Sequence, residues 1–204
     1  MSVVHDFGES LAKSHAAEDL PFWKEVYRKS FPTMIGMYNH RQDGDHQRQG
    51  IDRSIVLENS KQILIDEKVR YKNQTTGKIY DDILLEYWSN EGMRVPGWVC
   101  KPLLCDYIAY AIAPLGICYL LPVLQLQSAW SLYGQKWIAE FTSKIGGPIR
   151  AKNKCTGGTY TTVSIAVPAK TLYPAIGAAL RANFTPPEQE FDTEINAGGR
   201  RSTK

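Results

Sequence analysis

The sequence predicts an α/β domain, a mixed central β-sheet with helices on its faces. Three observations predict it. Two helical segments open the chain. Short runs rich in Ile, Val, Leu and Tyr follow, each bounded by turn residues. One long segment with helical spacing of Trp, Tyr and Phe interrupts those runs before a last strand. The 204 residues suit one domain over 1–184 with a disordered polar tail over 185–204, and 43% hydrophobic content is enough for a sizeable core.

The elements are expected in this order. Val3 to Ala17 carries Phe7, Leu11 and His15 at i, i+4, i+8, the spacing of one helix face. A second helix runs from Pro21, suited to the first helical position, to Phe31, with Asp19 as a candidate cap and Pro32 as the stop. Met34 to Gln49 is polar and contains His40, Asp43, Asp45 and His46. Without a framing strand or helix it reads as a flexible loop rather than a metal cluster, with Arg41, Arg48 and Arg53 near the hairpin that follows. Ile51–Leu57 and Ile63–Val69 are the strands of that hairpin, joined by the turn residues Glu58 to Lys61. Tyr71 to Lys78 is a polar turn, Ile83 to Trp88 a third strand and Ser89 to Pro102 a loop. Asp106–Ala113 and Gly116–Val123 form a second hairpin around Pro114 and Leu115. Gln125 to Phe141 is a helix whose stripe of Leu126, Trp130, Tyr133, Trp137 and Phe141 faces the core. Gly146 to Gly158 is a basic connector, Tyr160 to Val167 a strand and Ala169 to Leu180 a short apolar helix or cover.

Composition excludes several classes. No apolar run reaches the roughly 18 to 20 uninterrupted residues that a membrane helix needs. The segment MSVVHDFGES lacks a basic region followed by an apolar core, so no secretory signal and a cytoplasmic location are expected. Cys100, Cys105, Cys118 and Cys155 include no C-x-x-C pair, which disfavours a zinc ribbon and leaves free, partly buried thiols. There is no G-x-x-x-x-G-K-[ST] and no G-x-G-x-x-G, which disfavours ATP-coupled and dinucleotide enzymes. The net charge of +3 is modest, but Lys144 to Arg181 holds Lys144, Arg150, Lys152, Lys154, Lys170 and Arg181 with no Asp or Glu, a one-signed stretch able to face phosphate.

The first hairpin carries the chemistry. Asp66 and Lys68 lie two apart on a strand and share a face, and Asp52 opens the partner strand opposite them. Two carboxylates can hold Mg²⁺, which takes oxygen ligands and keeps several waters. A lysine beside them can orient a water or neutralise charge developing on phosphate. The pattern D-x(13)-D-x-K, as Asp52…Asp66-Glu67-Lys68, resembles the PD-(D/E)xK nuclease superfamily, with Ile51 where the family often has Pro. The strands after the hairpin are similar to those of phage- and mobile-element-encoded members.

The resemblance implies a restriction-endonuclease-like fold and Mg²⁺-dependent hydrolysis of DNA phosphodiester bonds, with Mn²⁺ able to substitute. It implies Asp52, Asp66 and the Glu67 carbonyl as metal ligands, and Lys68 as the residue that positions water. Glu86, an acid inside an apolar strand and costly to bury unpaired, would complete the site, with Glu9 or Glu18 as further candidates from a preceding helix. DNA would lie against Arg53, Lys144, Arg150, Lys152 and Lys154. Many members act as dimers to cut two strands, so a homodimer is admitted, though no segment marks an interface. The alternative is a nuclease-like DNA-binding or protein-interaction module without turnover. A hydrolase acting through His40 or His46 ranks last, since no G-x-S-x-G motif accompanies them.

Overall fold

The computed structural model describes residues 4–6, 19–73, 76–145, 147–155, 158–177 and 179–187. Its elements in chain order are β1 (Val4–Asp6), α1 (Phe22–Ser30), β2 (Met34–Asn39), α2 (Gly44–Arg48), β3 (Arg53–Leu57), β4 (Gln62–Arg70), β5 (Asp82–Asn90), β6 (Val95–Pro96), β7 (Tyr107–Ile112), β8 (Ile117–Pro122), α3 (Val123–Ile145), β9 (Ile149–Cys155), β10 (Gly158–Pro168), α4 (Ala169–Ile176) and β11 (Leu180–Asn183). The fold is mixed α/β.

The strands divide between two sheets rather than one central sheet. One has the order β1-β9-β10-β5-β6 and the other β11-β8-β7-β4-β3-β2. The expected first hairpin is β3 and β4, paired antiparallel with Arg53 opposite Ile65 and Ile55 opposite Ile63. Ser60 turns the chain between them at φ 62. The second hairpin is β7 and β8, joined by a 3-10 turn over Ala113–Leu115. Gly116 closes that turn at φ 61, and a Cβ there would overlap the Phe184 carbonyl, so only glycine fits. Strand β4 lies between β3 and β7, parallel to the latter with Asp66 opposite Ile108.

Alternation along these strands feeds two cores. Ala109, Ala111, Cys118 and Leu120 share one face of the six-stranded sheet with Ile55 and Ile65, and α1 covers it with Trp23, Val26 and Tyr27. Ile108, Tyr110, Ile112 and Leu121 share the other face and pack against Ile83 and Leu85 of β5, Ile165 and Val167 of β10, and the apolar sides of α3 and α4. On α3, Leu126, Trp137 and Phe141 are buried as the stripe predicts, while Tyr133 remains exposed. Cys105 and Cys118 are buried free thiols and Cys100 an exposed one. Among the described residues no helix is long and apolar enough to cross a membrane.

Several expectations are corrected. Val4–Asp6 is a strand, paired parallel to β9 with Val4 opposite Lys152. The rest of the helix expected over Val3 to Ala17, with Glu9 and Glu18, lies outside the described residues, as does the tail from 188. Pro21 itself stands at the N-cap of α1, and Asp19 pairs with Arg41 at 2.8 Å. Met34 to Gln49 is ordered as β2 and α2, because β3 offers a pairing edge that β2 fills from Met34–Leu57 to Asn39–Arg53. Within Ser89 to Pro102, two residues extend β5 and Val95–Pro96 returns against it as β6. The basic connector is largely β9, paired along its length with β10. The cover after Val167 is α4, and β11 then adds an edge to the other sheet beside β8.

Candidate functional site

Strand β4 splits its residues between the two cores. Ile65 and Glu67 face α1, and Asp66 and Lys68 face the layer that holds β5. Asp52 stands one residue before β3 begins. Its amide still pairs with the Ile65 carbonyl at 2.9 Å, and its Oδ2 accepts the Glu67 amide at 2.7 Å. The carboxylate thus replaces the backbone acceptor that β3 would have supplied had the ladder continued. One residue's N–H and C=O point to the same edge of a strand. The Glu67 carbonyl therefore opens on the edge where Asp52 stands.

The sequence-predicted trio is brought together. Lys68 Nζ donates to Asp66 Oδ1 at 2.6 Å. The Asp52 carboxylate is near enough to hydrogen-bond the Asp66 carboxyl. Asp66 is 4% exposed, and burial pushes its carboxyl up to about 7; Lys68 opposes that rise and the like charge of Asp52 adds to it. Burial pulls the Lys68 ammonium down, but Asp66, Asp52 and Glu86 together outweigh it and the net shift is upward. Lys68 is therefore an ammonium at any physiological pH, a donor and a charge rather than a base.

Glu86 joins them from the other sheet. Burial raises its carboxyl, and Lys68 and then Lys101 pull it back. Gly97 lets the chain lie flat on β5 there, since a Cβ at that position would overlap the Glu86 carbonyl. The Gly97 amide bonds Tyr87 O at 2.9 Å and the Val99 amide bonds Glu86 O at 3.2 Å. This brings Trp98 to the site, with the Lys68 ammonium 6.0 Å from its ring centroid. Cys105 lies close by, but burial and then Asp66 push its thiol up to about 12, so it is no nucleophile. Trp98 and Lys101 were not singled out in the sequence; the one signal for them is the Gly97 that their loop needs.

The set of two carboxylates and a carbonyl, with one ammonium beside it, fits a hard divalent cation that prefers oxygen.

Other predicted contacts fall differently. Arg53 is turned inward and is not available to DNA. It is 5% exposed, its Nε donates to Glu67 Oε1 at 2.6 Å and its Nη2 to Oε2 at 3.1 Å. Tyr27 of α1 donates to the same Oε1 at 2.5 Å. The Glu67 carboxylate is committed to this buried cluster, which leaves only its carbonyl for the site. Arg150 is held by Glu91, Nη2 to Oε1 at 2.7 Å. Lys152 and Lys154 are exposed on β9, two apart and on one face, opposite Thr161 and Thr159. Lys144 belongs to α3, but its side chain lies outside the described residues, as does that of Arg48.

No family model matches the chain, and no curated protein or solved structure matches it.

Proposed function

We propose that the chain is a metal-dependent deoxyribonuclease of the PD-(D/E)xK type, hydrolysing DNA phosphodiester bonds at the Asp52, Asp66, Lys68 and Glu86 cluster. The observation that carries this reading is the meeting of Asp52, one residue before β3, and Asp66 of β4, with the Lys68 ammonium 2.6 Å from Asp66. Asp52, Asp66 and the Glu67 carbonyl would hold Mg²⁺ or Mn²⁺. When bound, the cation would supply an acidified water and charge neutralisation at the phosphate.

The chain's own groups do the rest. Lys68, permanently charged, donates to the attacking water or to a non-bridging phosphate oxygen as negative charge grows there. Glu86 lies close enough to Lys68 for its charge to favour the ammonium, alongside Asp66 and Asp52. Trp98 stands on one side of that ammonium, its ring centroid 6.0 Å away. Lys152 and Lys154 would carry the DNA backbone, and a homodimer would serve to cut two strands.

The test is incubation of the protein with supercoiled plasmid and a labelled fork in Mg²⁺, Mn²⁺ or EDTA, beside the Asp66→Ala and Lys68→Ala proteins. Metal-dependent cleavage lost in both variants is expected. Absent cleavage, with DNA binding that ignores EDTA and both substitutions, would replace the enzyme with a non-catalytic DNA-binding module built on the same fold.

A further inference from the structure

We propose that His40, Asp43 and His46 form a second metal site, one that takes a transition-metal cation of the Zn²⁺ class through imidazole nitrogen and carboxylate oxygen. The site is separate from the carboxylate cluster, and the proposal does not rest on the nuclease reading.

The three residues come from two places. His40 follows the last residue of β2, where its amide bonds Asp52 O at 2.8 Å. Asp43 immediately precedes α2 and His46 lies within it. One donor atom from each lies within 4.8 Å of the other two. Points that close share a centre about 2.8 Å from each, against about 2.1 Å for a Zn–N bond. Closing the set around a cation takes about 0.7 Å per donor atom and a turn of at least one ring, because the two imidazoles lie stacked, centroids 4.1 Å apart and planes 6° apart, and a ring nitrogen binds a cation in its own plane.

Two of the three side chains are held by neighbours. Ser54 Oγ, itself buried, engages Nε2 of His40 at 2.6 Å. Asp43 Oδ2 engages Nδ1 of His46 at 2.7 Å. With Nε2 engaged by Ser54, Nδ1 is the nitrogen that His40 would offer a cation; on His46 the bond to Asp43 is one that a cation would displace, since Asp43 is itself a ligand. Asp43 is held in turn, because its Oδ1 accepts the amides of Asp45 at 3.0 Å and His46 at 3.2 Å. A helix cap needs Asp43 alone; it does not need a second imidazole brought from β2 and locked by a buried serine. Imidazole donors select Zn²⁺, Ni²⁺ or Cu²⁺ over Mg²⁺. Partial exposure leaves the fourth position to solvent. Such a cation would tie α2 to the end of β2 and, through the Ile51 amide on His46 O at 2.9 Å, to the residue before Asp52.

Chelator-stripped protein is titrated with Zn²⁺ by calorimetry in excess Mg²⁺, and with Co²⁺ by visible absorption. One Zn²⁺ per chain at micromolar affinity or tighter is expected, with a Co²⁺ ligand-field band, both retained in Asp66→Ala. His46→Ala weakens binding by about 100-fold or more. Should His46→Ala fail to fold, Asp43→Asn keeps the cap acceptor and removes the charge, and the same loss is expected. No heat and no band, binding only at millimolar Zn²⁺, or binding unchanged in the two variants would overturn the site. Binding lost in Asp66→Ala but kept in His46→Ala would overturn it too, and assign the ion to the carboxylate cluster.

Discussion

Asp52 and Glu67 are joined by a bond from the Glu67 amide to Asp52 Oδ2 at 2.7 Å, across the point where β3 leaves β4. A backbone donor therefore fixes the carboxylate of a residue that lies outside the strand. Asp52→Asn keeps an acceptor for that amide and removes the charge. The fold should lose about 1 kcal/mol or less, the net worth of one such bond, while Mg²⁺-dependent cleavage falls by at least about tenfold. Denaturant midpoints and plasmid cleavage measured side by side check it, and equal losses of both would deny the charge its role.

Asp66 makes the apo fold sensitive to pH. The unfolded carboxyl titrates near 3.9, and in the fold burial pushes it up to about 7. A carboxyl raised by folding contributes stability that is fully present below the unfolded value and is lost as pH rises through the folded one. Stability in EDTA should therefore fall between about pH 4 and pH 7. Asp66→Asn, with no charge to bury, should gain on the parent as pH rises and be the more stable protein at pH 8. Melting temperatures across that range give the answer; a difference that ignores pH removes Asp66 as the cause.

How much of this was readable before folding depends on where the partners lie. The β3–β4 hairpin was legible because Ile51 to Val69 holds its apolar period, its turn and its charges within one short span. Glu86 was legible as an oddity, an acid among Ile83, Leu84 and Leu85, but not the second positive charge near it after Lys68, that of Lys101, which is brought by a loop. Arg53 was misread because its ion-pair partner sits on the next strand and the phenol that completes the cluster comes from α1. Strand β9 carries a period of two, with Arg150, Lys152 and Lys154 alternating with Ile149, Ala151 and Asn153, yet the charges resemble a connector until β10 supplies a partner. The division into two sheets rests on β5 pairing with β10, strands some 80 residues apart, a distance no local pattern records.

The Arg53–Glu67–Tyr27 cluster is structural, and removing one member should show it. Arg53→Ala leaves a carboxylate buried without its cation, a change that costs about 3–5 kcal/mol. Tyr27→Phe removes one of the donors to Glu67 and should cost about 1–3 kcal/mol. Urea titration of each protein measures both. Arg53→Ala losing DNA binding with unchanged stability would return that arginine to the surface.

Gly97 should resist substitution for a steric reason. A Cβ there meets the Glu86 backbone, which cannot move without breaking β5. Gly97→Ala should displace the loop bearing Trp98 and cost about 1–3 kcal/mol. Cleavage should fall further than stability alone explains, and Trp fluorescence should shift. Wild-type behaviour in both would mean that the loop is not fitted against Glu86.

Lys152 and Lys154 offer the clearest test of where nucleic acid lies. Both are exposed on one face of β9, and neither needs to break an ion pair with Glu91 to reach a phosphate, as Arg150 would. Each phosphate contact releases condensed counterions, so log affinity falls with log salt by about 0.9 per contact on duplex DNA. Lys152→Ala with Lys154→Ala should lower the salt slope by about two and weaken binding evenly across sequences. Arg150→Ala, which also frees Glu91, should change the slope by less. Because neither lysine touches Asp52, Asp66 or Lys68, cleavage at saturating DNA should stay near the parent rate while the concentration needed to saturate rises. Fluorescence anisotropy at three salt concentrations measures the slope, and an unchanged slope would move the DNA path to another face.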